Sequence, residues 1–556
     1  MTMLRPRRPS LVLGAIATAT ASALLLTACG SSAGGSNSSG SQGGSPQTGG
    51  TLTFYDPVQY EDWQTTNSLW SVSQVTDNIG ERLIWQDPKT GKLLPWLATS
   101  WSVSADHKTY TFHLKPDVKF TDGTALTSQV VKDNFDQHGF GDKKLGIPAD
   151  QFWNGYAGTK VVDPTTFQIR LNTPDAGFLQ VLSNYRASTI LAESYVKLNL
   201  AGQSKVQNWV GTGPFRYAGG DGVNEVVLKP NPHYTSWPTG SAHTGRAYLN
   251  EIDFKYVPEE STRIGALQSG QAQVVRNLSP TDEQTVGSFG GQLESFGVQG
   301  ETNALAVQVR PGLITDDKQV RLALNAATDR KEINQAVLSS NYGIPIGPLV
   351  KGTPDAPDLS SYLAYDPGKA KQLLESAGWA AKSDGYRYKG GQQLHFDIWV
   401  APFYQVSEQV LEVLQSEWKK VGVKLSIHSV SLDQYEAISA AGGTGSEKFS
   451  FSQSQTSTAD PNVLRVDYDT TRANGLGQDA KSPDPKLNQL VRDQAEAFDP
   501  AKRAATVKEA GEYLYQQGYS IPLYDETQVF GLSSKVHGFG TESTARAWLY
   551  DTWLGK

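Results

Sequence analysis

Apolar and polar positions change period along the chain, and each change marks an element. Gly50-Thr51-Leu52-Thr53-Phe54-Tyr55 alternates and stops at Asp56-Pro57, which predicts a short strand closed by a turn. Thr109 to Leu114 alternates in the same way and leads into turns at Lys115-Pro116-Asp117 and Phe120-Thr121-Asp122-Gly123. Elsewhere the period lengthens to that of a helix. Val410, Leu414 and Trp418 share one face of a helix from Ser407 to Val421; Gly422 ends it, and Val423-Lys424-Leu425-Ser426-Ile427 alternates as a strand. Asp366-Pro367 and Asp499-Pro500 each set an Asp cap before a Pro at the first helical position, with stops predicted at Gly378 and near Gly518. Helix, Gly and strand joined by short connections predict α/β lobes on largely parallel sheets. No repeat of fixed period is present, which excludes solenoids and propellers.

The amino end follows another pattern. Arg5, Arg7 and Arg8 precede an apolar or small stretch from Leu11 to Leu26, too short for a comfortable membrane span. Leu26-Thr27-Ala28-Cys29 then resembles the lipobox of bacterial lipoproteins, in which the Cys is lipidated and becomes the first residue. Gly30 to Gly50 holds 8 Gly and 7 Ser and no charge. Such a stretch is a flexible tether with a reach of about 25 Å. Lipid, tether and folded body together predict a protein held on the outer face of the cell membrane by Cys29. In an organism with an outer membrane, that face is the periplasmic space.

Composition narrows the chemistry. Cys29 is the single Cys of 556 residues, so disulfide frameworks, Cys zinc sites and iron–sulfur clusters are excluded. The net charge of −7 becomes more negative once the three leader Arg are removed, which speaks against a nucleic-acid partner. The eight His form neither HExxH nor a close ligand pair, and no GxSxG or GxxxxGK run occurs. The chemistry inventory is nearly empty, and the expectation is no cofactor, no metal site and no catalytic residues. Trp, Tyr and Phe are plentiful, with 13, 23 and 19 copies. Most must be core, but a solute cleft also needs aromatic walls. Trp399, Phe403 and Tyr404 follow a strand-like run from Leu394 to Ile398, at the carboxyl end where parallel sheets bind ligands, and read either as pocket wall or as core.

Several phrases then carry a resemblance. Asn78-Ile79-Gly80-Glu81-Arg82-Leu83-Ile84, Leu94-Pro95-Trp96-Leu97-Ala98-Thr99-Ser100-Trp101 and Val118-Lys119-Phe120-Thr121-Asp122-Gly123-Thr124-Ala125-Leu126-Thr127 come in order. Gly211-Thr212-Gly213-Pro214-Phe215, Asn231-Pro232-His233-Tyr234 and Val320-Arg321-Leu322-Ala323-Leu324-Asn325 follow. Together they resemble the extracytoplasmic solute-binding proteins of oligopeptide, dipeptide and nickel ABC importers (family 5). The resemblance implies a two-lobed α/β clamshell of the periplasmic-binding-protein type, with an extra subdomain in the first lobe. The implied division is a leader at 1–28, a tether at 29–50, the first lobe at 51–85, 206–300 and 528–556, the inserted subdomain at 86–205, and the second lobe at 301–527. It implies a monomer that captures a small or peptide-like solute for an ABC permease and its ATPases. The alternatives are a secreted hydrolase or a non-transport receptor on the same clamshell.

The expected ligand-binding residues are Tyr55, Gln59, Trp70 and Thr212 on the first lobe, and Trp399, Phe403, Tyr404, Gln453, Gln455 and Ser457 on the second. Dipeptide binders of the family hold the peptide amine with an Asp three residues before an acidic–Pro step, and hold its carboxylate with an Arg in an Arg-Pro-Tyr run. The matching positions here are Ser457, before Asp460-Pro461, and Ala401, in Ala401-Pro402-Phe403. With both charges gone, a zwitterion would be left with unpaired buried charge, so the expected solute is neutral or singly charged and partly apolar.

Overall fold

The computed structural model describes residues 45–66, 72–153, 155–402, 404, 406–438, 449–472, 477–479 and 481–556. Cys29, Trp70 and Phe403 lie outside these described residues. The strand Thr51–Asp56 forms as its alternation predicts, with Leu52, Phe54 and Asp56 turned into the core. It runs parallel to Glu251–Tyr256 on one side and to Val274–Arg276 on the other. Antiparallel neighbours extend this core into a seven-stranded sheet that also includes Phe215–Gly219, Glu225–Pro230, Gln292–Gly297 and Thr527–Leu532.

The largely parallel sheets expected from the sequence are therefore not what forms. Four of the six pairings in this sheet are antiparallel, and so are both pairings of a second sheet made by Asn303–Val307, Phe451–Ser454 and Ser520–Tyr524. A short reversal such as the one between Gly219 and Glu225 can join only antiparallel neighbours; a parallel pair needs a long crossover. One such crossover joins His395–Trp399 to Lys424–His428 through the helix Ser407–Lys419. Val410, Leu414 and Trp418 on that helix are fully buried, as its period predicts, and Gly422 follows with φ of +87°. Asp366 and Asp499 cap their helices through Lys369 N and Lys502 N.

A third layer is the antiparallel sheet Ala98–Val103, Thr109–Leu114, Thr166–Leu171 and Tyr156–Asp163, backed by the helix Ser128–Phe140. Phe112, Phe135, Trp153 and Phe167 pack between them. The carboxyl tail returns to the seven-stranded sheet's core, where Trp548 meets Trp85 and Trp96 with centroids 5.6 and 5.3 Å apart.

One charged cluster ties three distant chain passes together. Arg276 donates from Nη2 to Asp56 Oδ1 at 2.6 Å and from Nη1 to Gln528 Oε1 at 2.9 Å, and both charged residues are fully buried. Deleting one partner of such a pair strands the other charge out of water. Asp56→Ala should therefore cost about 3–5 kcal/mol of stability. Urea unfolding would read this as a lowered midpoint, and a loss within the scatter of surface substitutions would show that the pair does not hold the sheet.

Candidate functional site

Several distant passes of the chain meet along the segment that follows the strand Phe451–Ser454. Its backbone passes so close to Gly300 that a β-carbon there would lie 2.3 Å from Thr456 O, and Gly300 has φ of +132°. Side chains from the other layers close over the segment. Gln86 donates to Ala459 O at 2.9 Å, Asn184 to Ser457 O at 3.5 Å, and Arg546 Nη2 to Ser457 Oγ at 3.5 Å. Ser457 Oγ also exchanges a hydrogen bond with the Gln455 amide at 3.3 Å, and Tyr404 donates to Gln455 O at 3.4 Å. Gln453 lies deeper, accepting from Ser407 Oγ at 2.5 Å and donating to Asn303 Oδ1 at 3.3 Å.

This seam is polar and charged although buried. Asp77 accepts from Arg82 at 2.8 Å, and the Arg82 guanidinium lies 4.9 Å from the Trp96 ring centre. Burial pushes the Asp77 carboxyl up to about 7 against the pull of Arg82. Burial likewise takes Glu526 up to about 7, with Arg546, Tyr524 and Arg276 opposing it. Burial pulls Arg546 down, but Tyr185, Glu542 and Asp77 hold its pKa above the ordinary value. On the second sheet's side, Glu301 accepts from Tyr468 Oη at 2.9 Å. Burial and the neighbouring Asp467 push its pKa well up. Among the described residues, Gln180 Oε1, Asn303 Nδ2 and Thr458 Oγ1 are buried with no hydrogen-bond partner. No cluster of three His, Cys, Asp or Glu side chains able to hold a metal ion occurs among the described residues.

The structure gathers Tyr404, Gln453, Gln455 and Ser457 at this seam. It places other expected residues elsewhere. Thr212 is buried in the first core beside Glu81, whose carboxyl accepts from Trp96 at 2.9 Å and from Ser236 at 2.5 Å. Gln59 reaches Asn224 at 3.1 Å on the exposed side, and Tyr55 packs half-buried near Ile264 and Leu267. Trp399 is half-buried, stacked on His428 at 4.9 Å and edge-on to Phe449 at 4.2 Å. The uncharged wall expected from Ser457 and Ala401 is only half of the site: Arg546, Glu526 and Asp77 bring charge from the opposite side. Sequence reasoning missed these three, together with Gln86 and Asn184. Arg546 meets Ser457 across 89 residues, and no local spacing signals such a contact.

Known proteins share this chain's sequence pattern and fold. The pattern of the bacterial extracellular solute-binding proteins, family 5 Middle, matches residues 92–474. The glutathione-binding protein GsiB of Escherichia coli K12 is 27% identical over 506 residues, covering 88% of this chain and 90% of its own. Among solved structures, NikA of Brucella suis in complex with Fe(III)-EDTA superposes with a TM-score of 0.75 at 24% identity, covering 89% of this chain and 98% of that one. DppA of Helicobacter pylori in complex with the peptide STSA gives 0.75 at 20% identity, over 92% and 99%. These likenesses show the two-lobed fold; among the described residues no helix is long and apolar enough to cross a membrane.

The raised carboxyl at Glu526 has a measurable sign. A folded pKa near 7 against an ordinary value of 4.5 means that the folded state binds the extra proton between those values. Its share of stability is present below pH 4.5 and is lost as pH rises through 7. Relative to the wild type, Glu526→Gln should gain by up to about 1.4 kcal/mol per pH unit across that window. Denaturant titrations at pH 4.5, 6 and 8 would show it, and a difference constant with pH would refute it.

Proposed function

Since the chain belongs to the bacterial extracellular solute-binding proteins of family 5, we propose that it captures a small peptide-like solute bearing one carboxylate at the seam around Ser457 and Arg546. It is a substrate-binding component of an ABC importer, and proteins of this family work with a membrane permease. The observation that carries the reading is the Ser457–Arg546 contact between opposing walls. Where a dipeptide's amine would call for an acid, a neutral hydroxyl faces a guanidinium, so the charge the seam welcomes is negative. Arg presents a planar donor fork that matches a carboxylate. Gln180, Asn303 and Thr458 offer buried polar atoms to an amide or hydroxyl of the solute. Such a ligand favours closure because it reaches both walls only when they are together. The glutathione-binding name of the Escherichia coli relative and the peptide held by the Helicobacter pylori structure support a peptide-like solute.

The rest of the proposal follows the amino end. Cys29 carries the lipid, the Gly/Ser tether spans the gap to the membrane, and the folded body works there as a monomer without catalysis. Among the described residues, the Glu301–Asp467 carboxyl pair is what favours a hydrolase instead, and turnover separates the two readings. Native mass spectrometry of the purified protein, repeated after long incubation with a peptide library, should show a bound solute of unchanged mass; a cleaved product would support the hydrolase. Arg546→Gln should weaken capture of that solute about 10- to 100-fold, as expected for one charged hydrogen bond worth about 1.5–3 kcal/mol. Calorimetric titration of a variant that still melts cooperatively would check this, and an unchanged affinity would remove Arg546 from the site.

A further inference from the structure

A cavity of about 390 Å³ opens between the third sheet's layer and the segment around Thr471, and neither Ser457 nor Arg546 is among the described residues that line it. Gly139, Trp153 and Tyr156 wall it on one side, and Val466, Thr471 and Arg472 on the other. The polar tips of both rings are engaged elsewhere. Trp153 Nε1 donates to Ala187 O at 2.5 Å, and Tyr156 Oη is shared between Asp136 at 2.5 Å and Thr159 at 2.6 Å. Asp150 also lines the cavity, but Phe152 N donates to its Oδ1 at 2.8 Å and its Oδ2 lies 3.3 Å from His138 Nδ1.

Arg472 is the one cationic side chain among the described residues lining the cavity. The carboxylates near it are already claimed. Arg492 grips Asp469 with two bonds of 2.7 Å. Asp175 accepts from Asn462 at 3.1 Å and from Gly177 N at 2.9 Å, and pairs with Arg465 at 3.5 Å. Arg472, half-buried, has no hydrogen-bonded acceptor for its guanidinium among the described residues. Burial, and after it the neighbouring Arg465, pull its pKa down to about 10. A cation so placed gains from an anion that comes with the ligand.

We propose that this cavity is a second binding site, separate from the Ser457–Arg546 seam, which takes a small organic anion with its carboxylate on Arg472 and its flat apolar body against Trp153 and Tyr156. The volume falls within the ordinary range for small-molecule sites of about 300–1,000 Å³. The site stands whether or not the seam binds a peptide-like solute.

Benzoate is the probe, with benzamidine as the same body bearing a cation and inorganic phosphate as an anion without a body. Calorimetric titration of the purified protein should give saturable one-to-one binding of benzoate and none of benzamidine. Arg472→Gln should weaken benzoate at least ten-fold while Arg546→Gln leaves it unchanged. Without probe, Arg472→Gln should melt at or above the wild-type temperature, since it removes a half-buried charge that lacks an acceptor among the described residues. Equal binding of benzamidine would overturn the proposal. So would loss of benzoate binding in Arg546→Gln only. Phosphate displacing benzoate with equal strength would mean an adventitious ion only and overturn it too. A clear drop in the melting temperature of unliganded Arg472→Gln would show the guanidinium engaged in the fold, and the proposal would fall with it.

Discussion

The buried pair of Asp56 and Arg276 is the contact on which the rest of the arrangement depends. Two charges taken out of water tolerate each other only in one geometry, so the strands that carry them cannot slide. A slip of one residue would turn Asp56 to the opposite face and bring Tyr55 inward. Because Gln528 completes the cluster, the carboxyl-terminal return is held in register with the first strand of the body and with the strand Val274–Arg276.

From that anchor a line of charge runs to the seam. Only Asp525 and Glu526 separate the strand Ser520–Tyr524, in the second sheet, from Thr527–Leu532, in the first. Glu526 therefore stands where the chain crosses between sheets, within the field of both Arg276 and Arg546. Arg546 is in turn held by Tyr185, Glu542 and Asp77. The seam also holds Gln180 Oε1, Asn303 Nδ2 and Thr458 Oγ1, buried with no hydrogen-bond partner among the described residues. Under the proposed reading, a solute that reaches these atoms gains most when both walls meet around it.

Local signals in the chain were legible wherever the physics is local. Asp366-Pro367 and Asp499-Pro500 start helices because a carboxylate cap and a fixed φ act within one turn. The apolar stripe of Val410, Leu414 and Trp418 becomes core because a helix with that face must bury it. The expectation of parallel sheets failed at a longer range. Helix–Gly–strand units say that a crossover exists but not which strand it pairs with, and the hairpin-like segments of the first sheet outvote it. Of the expected binding residues, Tyr404, Gln453, Gln455 and Ser457 come together at the seam, and they lie within 54 residues of one another along the chain.

By itself the sequence determined the family phrases, the capped helix starts at Asp366-Pro367 and Asp499-Pro500, and the buried stripe of Val410, Leu414 and Trp418. Each is carried by neighbours in the chain or by short runs with a fixed physical meaning. Only the tertiary structure decided that Arg546 faces Ser457, that Thr212 belongs to the core beside Glu81, and that Arg472 opens onto a cavity walled by Trp153 and Tyr156. Those pairings join residues tens to hundreds apart. Nothing in the spacing of either partner marks the other, because the contact exists only once sheets from separate stretches of chain have packed together.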